Sequence, residues 1–207
     1  KKWTPKDCTE VKIALSCKAE DNFRKAIFPG YKENRKDVVK PEYLKDVFTA
    51  LEDQYDCLKY PNLEADDILG IHASSGDAIS ISIDKDLMGV PGWYYNPEKN
   101  DEPYYITEDE AEEWFCLQWM AGDSTDGIPG LWLVGKKTAE KFLKEWDQGD
   151  WHANILELYT EGKHVPKNKH EVEDISTVMG QCVRILRHDN YDLDTHKINY
   201  WCPKVGL

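Results

Sequence analysis

Seven carboxylate side chains lie where one predicted secondary-structure element gives way to the next. They fall into three groups, which are Glu64, Asp66 and Asp67; Asp84 and Asp86; and Asp123 and Asp126. So many carboxylates in one crevice would repel one another unless cations lie among them. Oxygen ligands suit hard ions such as magnesium or manganese. Because two such ions about 4 Å apart promote in-line attack on a phosphodiester, the pattern predicts phosphodiester chemistry.

Each group by itself has an ordinary structural explanation. Acidic residues at a helix start complement the helix dipole, and the other two groups are also typical of turns. Those explanations do not account for all three groups at element boundaries. In an open parallel sheet, ligands bind beyond the carboxyl ends of the strands, which is where such groups would meet a substrate.

The elements that must position these groups alternate between strand and helix over the first 90 residues. Short apolar or β-branched runs predict strands, and apolar residues at helical spacing predict helices. The predicted strands are 11–16, 56–60 and 78–83, and the predicted helices are 41–54, 64–74, 107–122, 136–146 and 171–188. The alternation predicts an α/β fold with a parallel sheet, followed by a mostly helical second half.

Whole-chain properties limit the classes of protein that fit. The 207 residues carry a formal net charge of −13, which by itself disfavours a nucleic-acid binder because phosphates attract Lys and Arg. Metal ions among the carboxylates would weaken that objection. The six cysteines show no C-x-x-C spacing, which is typical of reduced thiols in an intracellular protein. No apolar run approaches the length of a membrane span, so we expect a cytoplasmic protein without a membrane partner.

A glycine-rich stretch follows the third acidic group. Gly130, Gly135 and Lys136 nearly spell the G-x-x-x-x-G-K of a nucleotide-binding P-loop. A P-loop needs a strand before its first glycine and Ser or Thr directly after the lysine. Here the predicted preceding element is helical and residue 137 is Lys, so a P-loop is the less favoured interpretation.

Three motifs in this order resemble the flap endonuclease and 5′-3′ exonuclease superfamily. They are E-A-D-D (64–67), S-x-D-K-D-L (82–87), and G-D-S-T-D-G-I-P-G (122–130) followed by G-K-K-T-A (135–139). Upstream, FRKAIFPGYKENRK (23–36) is similar to the family segment at the base of the helical arch. Downstream, GQCVRILRHDNYDLDTHKINYWCP (180–203) is similar to the carboxyl-terminal end of the T-odd phage (podovirus) exonucleases. The resemblance covers nearly the whole chain.

The resemblance implies a role for each group. Glu64, Asp66 and Asp67 would belong to the first metal site, Asp84 and Asp86 would bridge the two sites, and Asp123 and Asp126 would hold the second metal. Lys32 would reach the scissile phosphate, Arg35 would bind the phosphate chain, and these two residues with Asp67 would be catalytic. Tyr31 would stack on a base. Without the resemblance, 31–35 would be interpreted as an ordinary solvated helix face.

The glycine-rich stretch would then be the turn of a helix–three-turn–helix element that holds the phosphates of duplex DNA. Glycines allow close approach and helix-terminal amides attract phosphate. Its DNA contacts would be Gly130, Gly135, Lys136, Lys137 and Thr138, with Tyr31, Lys32 and Arg35 from the upstream segment. The basic surface as a whole would comprise Arg24, Lys25, Lys32, Arg35, Lys136, Lys137 and Lys141.

The implied architecture is an α/β, parallel-sheet PIN-like nuclease domain over 1–120 and a helical helix–three-turn–helix DNA-binding region over 121–207. The implied cofactors are two Mg²⁺ or Mn²⁺ ions and a K⁺ ion at the helix–three-turn–helix loop. The implied partners are duplex or branched DNA with 5′ ends, RNA:DNA hybrids, and a single-strand-binding protein or polymerase. The implied activity is metal-dependent 5′-3′ exonuclease and flap cleavage in phage DNA replication.

Two departures from the family pattern affect the first metal site. The family's first strand carries a D-G-D-like motif that has no counterpart here, so we expect either that a preceding piece lies outside this chain or that the ligand is lacking. Cys17 stands where a strand-end Asp usually lies, with Glu20 or Asp21 as substitutes through a shifted loop. A thiolate is a poor magnesium ligand.

Three hypotheses therefore remain open on the sequence. The first is a metal-dependent 5′-3′ exonuclease or flap nuclease. The second is a catalytically weakened relative that grips branched DNA, and the departures at the first metal site keep it open. The third is a P-loop nucleotide-binding protein, which the acidic groups at 84–86 and 123–126 disfavour.

Overall fold

The computed structural model describes residues 8–167 and 174–204. The chain divides into two compact units. Unit 1 comprises the chain up to Phe23, Arg35–Thr107 and Ile185–Asn199, and unit 2 comprises Arg24–Asn34, Glu108–Arg184 and the chain from Tyr200. The chain thus enters each unit more than once. The boundary that we expect at residue 120 stays a prediction.

Unit 1 is built from short strands and two helices. Its strands are β1 (Ile13–Ala14), β2 (Cys57–Leu58), β3 (Ile79–Ile81), β4 (Gly92–Tyr95) and β5 (Tyr104–Ile106), and its longer helices are α2 (Leu44–Gln54) and α3 (Ala65–Ser74). β1 pairs in parallel with β2, β3 in parallel with β4, and β4 antiparallel with β5. The expected α/β organisation with parallel pairing is confirmed, and β5 adds an antiparallel edge.

Helix α3 is the element that joins unit 1 together. Its apolar residues Ile68 and Ile71 are buried, and the Ser80 hydroxyl on β3 donates to the carbonyl of Leu69. A side chain at Gly70 would collide with the carbonyl of Leu186, so the returning segment lies directly on the helix. By contrast, α2 carries no buried side chain, although Leu44, Val47, Phe48 and Leu51 lie at helical spacing.

Unit 2 is helical. It contains α1 (Phe23–Ile27, whose first residue belongs to unit 1), α4 (Glu108–Ala121), α5 (Lys136–Glu145), α6 (Trp151–Thr160) and α7 (Ile175–Val183). One hairpin, β6 (Gly122–Asp123) with β7 (Ile128–Pro129), follows α4. Among the helices that the structure describes, none combines the length and apolarity needed to cross a membrane.

Helix α4 lies at the centre of the core of unit 2. Phe115, Trp119 and Met120 fall on its buried face at helical spacing, as expected from an apolar stripe of period 3.6. The Trp119 indole donates to the carbonyl of Ser176 at 2.7 Å, and the Tyr159 hydroxyl donates to the carbonyl of Trp119 at 2.6 Å. These bonds satisfy the polar atoms of large side chains that would otherwise be costly to bury.

Several elements differ from the sequence-based prediction. The hairpin β4–β5 and helix α6 were not expected. Their signals were present, since aromatic runs flank a Pro- and Asn-rich turn, and Trp151, Ile155 and Tyr159 repeat every four residues. The helix predicted over 171–188 ends at Val183, and 168–173, which also includes part of the loop expected over 163–170, lies outside the described residues.

The early end of α7 has an identifiable cause. The Arg24 guanidinium is buried and donates to the carbonyls of Cys182 and Arg184, each at 2.8 Å. These carbonyls therefore have a tertiary partner where a longer helix would have supplied backbone amides. Arg24 is 3% exposed, so its expected place on a DNA-contacting surface is wrong.

Candidate metal and phosphate site

The first acidic group lies at the start of α3. Asp67 is completely buried. One of its carboxylate oxygens accepts from the backbone N–H of Glu64 at 3.2 Å, and the other accepts from the backbone N–H of Leu186 at 3.1 Å. Glu64 and Asp66 are only partly buried. Asp67 therefore fixes the position of the helix start, and Glu64 and Asp66 are the more accessible carboxylates.

Cys17 lies beside this group. It follows β1, and its backbone N–H donates to the carbonyl of Leu63 at 2.8 Å. Burial, together with the negative charges of Glu64, Asp21 and Asp67, raises the pKa of the Cys17 thiol to about 11. The thiol is therefore neutral at physiological pH. The potential that suppresses its ionisation is negative, which is the sign that a cation requires.

The second acidic group ends β3. Asp84 caps the short 3₁₀ helix Lys85–Gly89, and its carboxylate accepts from the backbone N–H of Asp86 at 2.9 Å. The Tyr94 hydroxyl donates to the carbonyl of Asp84 at 3.0 Å. Because the turn is held from β4, the exposed carboxylate of Asp84 lies at the carboxyl end of a strand with a parallel neighbour, as predicted.

The third acidic group occupies the hairpin of unit 2. Residues Gly122–Asp123 pair with Ile128–Pro129, so Asp123 lies in β6 and Asp126 in the connecting turn. One oxygen of Asp123 accepts from the backbone N–H of Thr125 at 2.8 Å, an Asx turn. Gly127 has φ +72, a conformation that favours glycine.

The segment Gly30–Asn34 docks on this hairpin. The backbone N–H of Lys32 donates to the carbonyl of Asp126 at 2.7 Å, and its ammonium lies 3.5 Å from an oxygen of the Asp126 carboxylate. The Asn34 amide donates to the carbonyls of Ser124 and Thr125, each at 3.2 Å. Lys32 and Asp126, residues that the sequence separates widely, are thus brought together in unit 2.

Tyr31 does not have the expected geometry. Its ring is 2% exposed and belongs to the core of unit 2, so it offers no face to a base in this structure. Its hydroxyl instead donates to the Asp126 carboxylate at 3.3 Å. Arg35, which ends a short 3₁₀ helix, is exposed.

The glycine-rich stretch contains two glycines in different situations. A side chain at Gly130 would collide with the backbone of Met120 and Ala121, so Gly130 permits close packing at the end of α4. Gly135 has open space around it and caps the start of α5. Lys136 and Lys137 are exposed in the first turn of that helix, and Thr138 is half-buried. This arrangement suits phosphate binding at a helix start.

The element before Gly130 corrects one expectation. It is the short strand β7, not a helix. β7 is an antiparallel hairpin strand of two residues, whereas a P-loop follows a strand of a parallel sheet. Residue 137 is Lys, so the conclusion on the P-loop is unchanged.

The sequence did not lead us to expect two exposed apolar residues in this stretch. Trp132 is 39% exposed and Leu133 is 74% exposed, between the buried anchors Leu131 and Val134. Leu133 has φ 59, which is uncommon for a side chain other than glycine. The signal was the pair of large apolar residues between two glycines, which the helical pattern on either side does not require.

A further group of possible metal ligands lies in unit 2, formed by Glu112, Cys116 and His152, whose ligand atoms all lie within 4.8 Å of one another. His152 Nδ1 accepts from the backbone N–H of Lys204 at 2.8 Å, and Nε2 lies 2.7 Å from the Glu112 carboxylate. Because Nδ1 is an acceptor, the proton of the neutral ring is on Nε2, which donates to Glu112. The cluster therefore acts as a hydrogen-bonded brace, and His152 offers no lone pair to a metal without losing Lys204.

The three acidic groups are spread more widely, since among the described residues no three of their carboxylates bring oxygens within 4.8 Å of one another. Their donors are carboxylate oxygens, which hard ions prefer. In unit 1 the negative charges of Glu64, Asp21 and Asp67 add to burial in raising the pKa of the Cys17 thiol. In unit 2 the Asp126 carboxylate already binds the ammonium of Lys32. Both observations show positions that favour positive charge.

Known proteins resemble this chain over most of its length. No family model matches it. In an alignment 225 residues long, it is 31% identical to the exonuclease of Escherichia phage T7, and the alignment covers 92% of this chain and 74% of that protein. It is 29% identical over 142 residues to the flap endonuclease Xni of Shewanella baltica, across 60% of this chain and 53% of that protein.

The fold has a counterpart among solved structures. The T5 D15 protein co-crystallised with metal ions matches with a TM-score of 0.61 over 85% of this chain and 74% of that one, at 19% identity. At that identity the likeness concerns the fold alone. The 31% identity to the T7 protein over most of both chains shows that this chain belongs to the superfamily of 5′-3′ exonucleases and flap endonucleases.

Proposed function

We propose that this chain is a metal-dependent 5′-3′ exonuclease and flap nuclease that hydrolyses phosphodiester bonds of DNA. The observation that carries the proposal is the contact between Lys32 and Asp126. In this proposal the Lys32 side chain would reach a phosphate, and the Asp126 carboxylate beside it would hold a metal ion. Family membership supplies the polarity of attack.

The two units would each contribute carboxylates to metal binding. In unit 1, Glu64, Asp66, Asp84 and Asp86 would hold an ion, and Asp67 would position the start of α3. In unit 2, Asp123 and Asp126 would hold a second ion. Mg²⁺ or Mn²⁺ suits the oxygen donors, and the ions when bound would supply an activated water and stabilise charge on the phosphate.

The remaining basic residues would bind the nucleic acid. Lys32 and Arg35 would contact the phosphates near the cleaved bond. Gly135, Lys136, Lys137 and Thr138 at the start of α5 would hold the duplex backbone, with K⁺ at the loop. Because these contacts are to phosphates, binding would weaken with salt despite the acidic net charge.

We further propose that RNA:DNA hybrids are substrates, because phosphate contacts do not depend on the sugar of the paired strand. This would suit removal of RNA primers during phage DNA replication. A single-strand-binding protein or a polymerase would be the partner that directs the activity to such ends.

A second candidate is a DNA-binding relative that cleaves poorly. The observation that favours it is Cys17, a neutral thiol beside the carboxylates of unit 1. A neutral thiol adds no charge to a magnesium site. In this alternative, DNA binding through unit 2 would persist while hydrolysis would be slow.

The deciding experiment is digestion of a 5′-labelled duplex with and without Mg²⁺ or Mn²⁺, beside a gel shift in Ca²⁺. Release of short labelled products that requires the metal supports the nuclease. A shifted band without products supports the DNA-binding relative. Absence of both would contradict the proposed function. A matched RNA:DNA duplex in the same assay tests the hybrid substrate.

A further inference from the structure

The carboxylate of Asp126 is contacted by a cation and a hydroxyl on the same oxygen. Lys32 Nζ lies 3.5 Å from Asp126 Oδ2, and the Tyr31 hydroxyl donates to that oxygen at 3.3 Å. The side chains of Lys32 and Asp126 are 23% and 21% exposed. The pair is therefore partly shielded from water, where an ionic contact is stronger than at an open surface.

Contacts that do not involve the Lys32 ammonium hold the segment on the hairpin. The Lys32 N–H bond to the Asp126 carbonyl and the two Asn34 bonds fix the segment on the hairpin. Gly127 and Gly30 allow close approach, since a side chain at Gly127 would lie 2.9 Å from the Gly30 carbonyl. The Lys32 ammonium can thus leave Asp126 while the segment remains docked.

We propose that the Lys32 ammonium occupies the place of a divalent ion at Asp126 and is displaced from the carboxylate when the ion binds. The inference rests on the proposed function, because it takes Asp126 as a metal ligand. A divalent ion and an ammonium on one carboxylate oxygen repel each other strongly. The displaced Lys32 side chain becomes available to a substrate phosphate, so the lysine is directed to its phosphate only after the metal is bound.

The proposal predicts that the Lys32 side chain weakens metal binding and promotes cleavage. Lys32→Met removes the competing cation, so Mn²⁺ should bind unit 2 more tightly by about two- to fivefold, the range of a partly exposed ion pair. The same variant should cleave DNA more slowly. The measurement is calorimetric titration with Mn²⁺ in the absence of DNA, beside the cleavage assay.

Lys144→Met is the matched control, because Lys144 lies outside the proposed DNA contacts. It removes the same charge from an exposed residue of unit 2 and should leave Mn²⁺ affinity within about twofold of the parent, because an exposed charge is screened. In an Asp126→Asn background the gain from Lys32→Met should disappear. If Lys32→Met unfolds the protein, Lys32→Gly replaces it, since glycine fits the φ of 54 at this position without strain.

A direct readout is the rate at which Lys32 is acetylated by a mild amine reagent, followed by mass spectrometry. Ca²⁺ should speed acetylation of Lys32 and leave that of Lys144 unchanged. Equal Mn²⁺ affinity in the parent and Lys32→Met, with no effect of Ca²⁺ on acetylation, would overturn the proposal while leaving metal-dependent cleavage intact. A parent that neither binds Mn²⁺ nor cleaves would overturn the proposed function itself.

Discussion

In unit 1 the carboxylate of Asp67 is buried and accepts from two backbone N–H groups, whereas in unit 2 the carboxylate of Asp126 contacts the ammonium of Lys32 and the hydroxyl of Tyr31. The first arrangement uses a carboxylate to build the fold. The second compensates a carboxylate with a side chain that can move. The comparison separates an acid that maintains the fold from an acid whose ammonium partner, in our proposal, a divalent cation would replace.

We expect the largest effect from substitutions that test whether both units contribute to DNA cleavage. Asp84→Asn in unit 1 and Asp123→Asn in unit 2 should each lower DNA cleavage by about 10- to 100-fold, the range expected when a group that supports a metal ion is lost. Binding of the same duplex in Ca²⁺ should change little. The measurements are single-turnover cleavage and a gel shift.

Asp77→Asn is the control, since Asp77 is an exposed acid of unit 1 outside the three acidic groups. It should cleave at the parent rate. Unchanged cleavage in either Asp84→Asn or Asp123→Asn would remove that unit from the proposed metal binding.

The next effect concerns the fold. Asp67→Asn should lower the free energy of unfolding by about 2–3 kcal/mol, because the amide presents an NH₂ group to a backbone N–H that needs an acceptor, and hydrogen bonds to charged groups are worth about 1.5–3 kcal/mol. Urea denaturation measures it. Asp66→Asn, one residue away, should cost less than about 1 kcal/mol, the value of an acid near a helix start. Equal losses would contradict the division between fold-building and cation-binding acids.

A smaller effect is expected at Cys17. Cys17→Asp adds a carboxylate beside Glu64, and should tighten Mn²⁺ binding to unit 1 by about tenfold, the lower end of what groups around a metal contribute. Cys17→Ser, which adds no charge, should leave the affinity unchanged. Calorimetry of both variants decides the matter, and equal affinities would show that position 17 does not contribute to the metal site.

The smallest effect is a pH dependence of unit 2. Burial alone would raise the pKa of Asp174, but its hydrogen bonds from Ser176 and Thr177 outweigh burial and lower the pKa. A lowered pKa in the folded protein means that stability is present above the unfolded pKa of about 3.9 and is lost as pH falls through the folded value. The cap is worth about 1 kcal/mol. The Tm of the parent should therefore converge with that of Asp174→Ala at acid pH, and a constant difference would contradict the assignment.

The sequence predicted several of the elements that carry the acidic groups and the glycine-rich stretch. Helices α3, α4 and α5 and strand β3 lie where period and capping residues placed them, because local patterns determine their ends. The contact between Lys32 and Asp126 was not predicted, since no local rule relates positions so far apart. Residue-level roles in the metal site stay predictions.

Tertiary contacts explain what the sequence could not show. The resemblance implied that Tyr31 stacks on a base, but its ring fills the core of unit 2. Helix α7 stops at Val183 because Arg24 binds the carbonyls at its end. Asp67 looked like the other acids in its group, and only the returning segment at Leu186 distinguishes it.

The 2.7 Å bond from the Lys32 amide to the Asp126 carbonyl also makes exchange of this amide proton a measure of how often the segment opens. Its proton can exchange with solvent only when the segment lifts from the hairpin, so its exchange rate in deuterium oxide counts those openings. Substitutions that remove the Lys32 ammonium would alter the charge without altering the exchange rate of the amide proton. Substitution of Asn34 would speed the exchange while leaving every charge in place.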